Sequence, residues 1–216
     1  MKLATIRTAN GHAAVRIDAT EAVEVGASDV GALLARPDWA ELASAAAGRR
    51  HDLAEVDYAP VVPFPSKVIC VGLNYRRHIA EMGLTLPEYP TLFAKFANSL
   101  LGAHDDIVLP SVSDSVDWEA ELGVVVGSSV RRASVERAAE AIAGFTVVND
   151  ISMRDWQWRT PEWLQGKAFE ASTPAGPWLV TPDEVGGALT STCAVRWTAR
   201  FASGSGRRTW CSARRT

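Results

Sequence analysis

Residues 3–25 alternate apolar and polar side chains on either side of Asn10-Gly11, a period of two interrupted by a dipeptide that favours tight hairpin turns. The pattern predicts a small β unit at the start of the chain. In "DVGALLARPDWAELASAAAG" the apolar residues then recur at helical spacing after Ser28, a capping residue. A helix is expected there, broken midway by Pro37 and ended by Gly48. "APVVPFPSK", residues 59–67, reads as an extended linker, because each proline fixes its own φ and holds the residue before it extended.

Beyond the linker, "KVICVGLNY" predicts a buried strand closing in a Gly-Leu-Asn turn, and "YRRHIAEMG" a short helix that Gly83 terminates. "LPEYPTLFAKFANSLLG" is punctuated by proline and reads as irregular, with a short strand near Leu92 to Lys95. "SVERAAEAIAG" predicts a helix capped by Ser134 and ended by Gly144, and "FTVVNDIS" another buried strand, ending in Asp150. Between these lies "DWEAELGVVVG", residues 117–127. Read as a strand, it sends Asp117, Glu119 and Glu121 to one face and Trp118, Ala120 and Leu122 to the other. Carboxylates on a strand bound for the core require a counter-charge.

At 216 residues, 47% hydrophobic and 22% charged, the chain has the composition of one soluble globular domain with a real core. No apolar run approaches the about 18 to 20 residues of a membrane span, and the N-terminus has no long apolar segment after its lysine, so a cytoplasmic location is expected. Cys70, Cys193 and Cys211 form neither a disulfide framework nor a metal knuckle. The net charge of −3 hides an asymmetry: no acid follows Glu184, yet six arginines do, leaving −9 before that point and +6 after it. A basic tail is compatible with nucleic-acid binding, and another origin competes with it.

Glu119, Glu121 and Asp150 are oxygen ligands at or near the ends of apolar strands, a donor set for Mg2+ or Mn2+. The same spacing would also serve the solvated face of an edge strand. His78 and Glu81, three apart on one helix face, can orient an imidazole as a general base for water; as an exposed pair they would do nothing. Arg154, Gln157 and Lys167 could bind a substrate carboxylate or enolate, or simply be solvated surface.

Taken in order, "KVICVGLNYRRHIAEMG", "LFAKFANSLLG", "DWEAELGVVVG", "GFTVVNDISMRDWQ" and "QGKAFEASTPAGPWLV" resemble the fumarylacetoacetate hydrolase family, from residue 63 to about 186. The resemblance implies an α+β, predominantly β architecture, a mixed β-roll or barrel-like catalytic fold behind a small N-terminal β-rich unit, and a homodimer. Residues 1–62 would be that unit and its linker, 63–187 a partial catalytic domain, and 188–216 an aberrant tail. By resemblance, Glu119, Glu121 and Asp150 hold Mg2+ or Mn2+, while His78 and Glu81 of a lid helix activate water. Lys167 and Gln157 match positions near the substrate's oxo-acid end, and Asn74, Tyr75, Lys95 and Arg154 match substrate-binding positions.

The implied reaction is hydrolysis of a carbon–carbon bond in an acylpyruvate-like 2,4-dioxo acid through an enolate. Isomerisation of a 2-hydroxyhepta-2,4-diene-1,7-dioate, or decarboxylation of an oxaloacetate-type acid, uses the same enolate and stands as the alternative. No nucleic-acid or membrane partner is implied. The segment "ALTSTCAVRWTARFASGSGRRTWCSARRT" departs from the family's continuation, and GC-rich codons read in a shifted frame restore strings resembling it. A frameshifted, C-terminally truncated chain is therefore an expectation, and an inactive remnant an alternative to the enzyme. Out-of-frame GC-rich DNA is rich in arginine codons, which would account for the basic tail.

Overall fold

A computed structural model describes residues 1–185; the expectations for the tail lie outside the described residues. The chain opens as a meander. β1 (Lys2–Thr8) and β2 (Gly11–Ile17) pair from Lys2↔Ile17 to Thr8↔Gly11, and Gly11, at φ +113°, supplies the turn conformation that its sequence suggests. β3 (Glu21–Glu24) adds to β2.

The next helix starts one residue later than expected. α1 (Val30–Leu34) is capped by Asp29, whose carboxylate accepts the Ala32 N–H at 2.8 Å, while the Ser28 hydroxyl donates to Asp29. A carboxylate is the better group here, because it also complements the positive helix terminus. Pro37 separates α1 from α2 (Trp39–Ser44) as predicted, but Gly48 does not cap α2. A Cβ there would lie 2.6 Å from the Glu24 carbonyl oxygen, so the glycine serves close passage beside β3 on the way to β4 (Arg50–Asp52).

After the linker come β5 (Val68–Gly72), α3 (Arg76–Glu81) and β6 (Thr91–Lys95), the two strands pairing from Val68↔Lys95 to Gly72↔Thr91. Then follow β7 (Leu100–Leu101), β8 (Val116–Asp117), β9 (Ala120–Val126) and α4 (Val135–Glu140). Ser134 caps α4 as expected, accepting the Arg137 N–H at 3.3 Å. That helix stops at Glu140, short of Gly144, which instead lies inside β10 (Ile142–Asn149). A Cβ at Gly144 would stand 2.4 Å from the Val180 carbonyl oxygen, so strand packing, not helix termination, accounts for it. The described chain ends with β11 (Ser152–Met153), α5 (Arg154–Gln157), α6 (Leu164–Lys167), β12 (Thr173–Pro174), β13 (Leu179–Val180) and α7 (Pro182–Val185).

The main sheet is open, with seven strands in the order β4-β3-β2-β1-β13-β10-β9, and β7–β12, β8–β11 and β5–β6 form separate pairs. Lys2↔Val180 and Leu3↔Leu179 join the opening meander to the later strands. Leu3, Val30, Leu33, Val61 and Leu179 lie in the core cluster beneath that seam. Burial of each such side chain contributes about 1.5–3 kcal/mol, so the seam is a strong one.

Two strands differ from expectation. "DWEAELGVVVG" is broken at Trp118-Glu119: Asp117 pairs with Ser152 in the β8–β11 ladder, whereas β9 pairs with β10. β5 is only half-buried, because among the described residues its ladder partner is β6 alone and Ile69, Val71 and Leu92 stay exposed.

Candidate active site

β9 and β10 run antiparallel with Glu121 opposite Val148 and Ala120 opposite Asn149, so Glu119 and Asp150 leave the ladder side by side. Two further bonds fix this exit: the Asp150 N–H donates to the Glu119 carbonyl at 2.9 Å, and the Glu119 N–H to the Asn149 side-chain oxygen at 3.2 Å. The Ser152 hydroxyl donates to the Asp150 carbonyl at 2.9 Å. Backbone geometry thus sets the two carboxylates in place before any charge is considered.

Cations then close on them from two other elements. Lys95, at the end of β6, contacts one Asp150 oxygen. Lys167, at the end of α6, stands 2.9 Å from the other and 2.8 Å from Glu119 Oε2. Arg154, the first residue of α5, reaches Glu119 Oε1 at 2.6 Å and Asp117 Oδ2 at 2.7 Å, and donates to Gln157 Oε1 at 2.8 Å. The side chains of Lys95, Lys167 and Asp150 are 1%, 2% and 4% exposed. Burial pulls the Lys95 ammonium below its ordinary value even though the Asp150 carboxylate opposes it.

Glu121 shows the strain of this crowding: burial first, then the charges of Glu119 and Asp150, push its carboxyl up to about 7. Glu121, with Glu119 and Asp150 crowded beside it, makes up a three-carboxylate donor set whose chemistry fits a hard divalent cation. Among the described residues no such set is gathered closely enough to grip an ion as it stands. Both Asp150 oxygens face ammonium groups, and those of Glu119 face Arg154 and Lys167, so holding a cation requires these carboxylates to turn away from the bases.

The structure therefore brings together Glu119, Glu121, Asp150, Lys95, Lys167, Arg154 and Gln157. It does not join the expected water-activating pair to them. His78 and Glu81 are exposed on α3, and among the described residues no hydrogen bond or ion pair links them to one another or to the cluster. Asn74 and Tyr75 are also exposed; Asn74 lines a cavity of about 280 Å³ between α3 and residues 86–90, floored by Val71 and Gly72.

Asp117 and Cys70 belong near the site without having been assigned to it. Asp117 anchors Arg154, and Cys70 projects from β5 on the same face as Gly72, opposite Phe93. Burial and then the Asp150 charge push the Cys70 thiol up to about 12, so it is a neutral wall of the cluster. Alternation along β5 and β6 carries the signal for Cys70: strand parity places it on the face that carries Lys95.

A profile of the family described as Fumarylacetoacetate (FAA) hydrolase C-terminal matches residues 67–211. Among curated proteins, the human mitochondrial oxaloacetate tautomerase FAHD2A is 46% identical over 134 residues, 61% of this chain and 43% of its own length. The chain thus spans less than half the length of the curated relatives it matches. Among solved structures, 5-carboxymethyl-2-hydroxymuconate delta-isomerase from Mycobacterium smegmatis superposes with a TM-score of 0.69 at 33% identity, covering 84% of this chain and 67% of that one. Fumarylacetoacetate hydrolase from psychrophilic Exiguobacterium antarcticum gives 0.70 at 26% identity, with coverage of 85% and 67%.

Proposed function

The chain belongs to the fumarylacetoacetate hydrolase family, and from that premise we propose that it is an enzyme that stabilises the enolate of a small 2-oxo or 2,4-dioxo acid. The observation carrying this reading is the convergence of two buried lysines and an arginine on carboxylates at the ends of β9 and β10. Buried ion pairs of this kind contribute little to stability compared with apolar packing, so their presence points to a chemical task. Glu119, Glu121 and Asp150 are the residues that would hold Mg2+ or Mn2+. When bound, the cation supplies a Lewis acid that polarises the 2-oxo group.

The chain's own residues do the rest. Lys167 Nζ, held between Glu119 and Asp150, is the donor available to a developing enolate oxygen, in a site that largely excludes water. Arg154, braced by Asp117 and Gln157, offers its guanidinium to the substrate carboxylate. The reaction these groups support best is proton transfer beside the oxo group, tautomerisation or isomerisation, and the oxaloacetate tautomerase and delta-isomerase relatives agree with it.

Hydrolysis of an acylpyruvate-like acid is the second reading, favoured by His78 and Glu81 sharing one face of α3. It makes an extra demand, that α3 bring both side chains to the cluster. The homodimer expected by resemblance is part of the same proposal.

Purified full-length chain assayed with Mg2+ against enol-oxaloacetate and an acylpyruvate tests both readings. Turnover of the first, lowered on the order of 100-fold or more by Glu119→Ala and by Lys167→Met, is the expected result. A folded protein inert towards both substrates, or turnover indifferent to Glu119→Ala, would overturn it. Acylpyruvate cleavage abolished by His78→Ala would instead establish hydrolysis.

A further inference from the structure

Lys167 ends a helix of four residues, Leu164–Lys167, far shorter than a helix that stands alone in water. Its position must come from outside that turn. On one side, Gly166 lets α6 press on α5: a Cβ there would lie 2.4 Å from the Gln157 backbone nitrogen. On the other side stands Trp163, the residue immediately before α6, with φ +59° and ψ −9°. A bulky side chain in the left-handed region is an unfavourable choice, and it persists only where surrounding contacts impose it.

Those contacts are on the inner face of the β5–β6 pair. The six-membered ring of Trp163 lies over Gly72, so closely that a Cβ on Gly72 would be 2.3 Å from Cζ3. The ring meets Phe93 edge-on, with centroids 5.7 Å apart at 70°, and Trp158 at 6.0 Å. Phe93 faces Lys167 in turn, its centroid 5.3 Å from the ammonium, and Lys95 projects from the same strand face two residues later. Gly72 and Phe93 on the strand pair and Trp163 laid against them therefore form a continuous surface, whose Phe93 faces the ammonium that bridges Glu119 and Asp150.

We propose that Trp163 is a positioning residue whose ring, seated on Gly72 and against Phe93, fixes the start of α6 and thereby holds the Lys167 ammonium between Glu119 and Asp150. The proposal extends the enolate reading by naming what sets its oxygen-facing donor, and for its catalytic consequence it rests on that reading. Trp163→Ala removes the ring, and Gly72→Ala displaces it from the opposite side without changing any residue of α6. Trp163→Phe keeps an aromatic ring in place.

The test is the rate of modification of individual lysines by an amine-reactive reagent, resolved by mass spectrometry on the full chain, together with binding of oxalate in the presence of Mg2+. Trp163→Ala and Gly72→Ala are expected to speed modification of Lys167 about tenfold while Lys2 and Lys67 keep their rates, as local opening of α6 requires. Both variants are expected to weaken oxalate about tenfold, and Trp163→Phe to restore both readings to within about twofold of wild type. If Trp163→Ala raises every lysine together through unfolding, Gly72→Ala decides alone.

Lys167 as protected in a folded Gly72→Ala as in wild type overturns the proposal. The labelling uses neither substrate nor cation. Release of Lys167 in the variants of an inert protein would therefore sink the enolate reading and leave this one standing; unchanged labelling in an active protein would do the reverse.

Discussion

In the strands β1 to β4, Leu3, Ala14, Val15 and Val23 are fully buried, while Arg7, Arg16 and Arg50 sit at the rim and pair with Asp105, Asp18 and Glu21. At the other end of the same sheet the arrangement is reversed. Leu122, Val124 and Val126 of β9 are 40%, 50% and 59% exposed, while Asp150, Lys95 and Lys167 are buried. The first region buries its apolar residues and keeps its charges at a partly exposed rim, which is what stability favours. The second takes charges out of water at a desolvation cost that apolar packing would avoid. That inversion, more than any one residue, sets the candidate site apart from the rest of the fold.

The contrast can be broken most forcefully from the charged side. Asp150→Ala leaves the buried Lys95 ammonium without its carboxylate and Lys167 with Glu119 alone, and is expected to cost about 3–5 kcal/mol in denaturant unfolding. A loss below about 1 kcal/mol would mean that the cluster is not held as described.

Leu3→Ala attacks the other region. It opens a cavity under the β1–β13 seam and should cost about 3 kcal/mol, while the folded fraction keeps its affinity for oxalate and Mg2+.

A smaller effect lies at the rim, where Arg7 clamps Asp105. Burial alone would raise the Asp105 carboxyl, but hydrogen bonds from Arg7 and from the Gly102 N–H outweigh it and hold the group below its ordinary value. A lowered carboxyl stabilises the fold above its unfolded value of about 4 and ceases to do so as pH falls through the lowered one. Wild type is thus expected to lose stability on acidification below about pH 4 more steeply than Asp105→Asn, as followed by thermal melts across that range. The smallest change belongs to Arg137→Ala on α4, whose pair with Glu140 is solvent-exposed on both sides; it should shift stability by no more than about 0.5 kcal/mol.

Much of the fold is legible in the sequence where pattern and local chemistry agree. The Asn10-Gly11 hairpin, the proline break at Pro37, the Ser134 cap and a strand through Val147 and Val148 that stops at Asn149, one residue short of the expected Asp150, all follow from the residues themselves. Gly48 and Gly144 mislead because a glycine that permits close backbone passage looks in sequence like one that ends a helix; only the carbonyls of Glu24 and Val180 distinguish the two uses. Asp117 parts from Glu119 and Glu121 because the ladder changes partner at Trp118, a tertiary choice with no local signal.

The candidate site is legible in residue type and only partly in assembly. Spacing alone offers Glu119 and Glu121 on one strand face, residue type offers Lys167 as a substrate ligand, and the family resemblance adds Lys95. The Gly72–Trp163 contact depends on two segments far apart in sequence meeting in space, so no single motif announces it.

Calorimetric titration of Mn2+ into the metal-free chain tests most directly the proposed cation site of Glu119, Glu121 and Asp150. One Mn2+ per wild-type chain, with affinity weakened about 100-fold or more by Glu119→Ala and by Glu121→Ala but retained by Leu3→Ala under conditions where that variant is folded, is the predicted result. A folded wild-type chain that takes up no Mn2+, or a Glu119→Ala variant that binds it as tightly as wild type, would contradict the account.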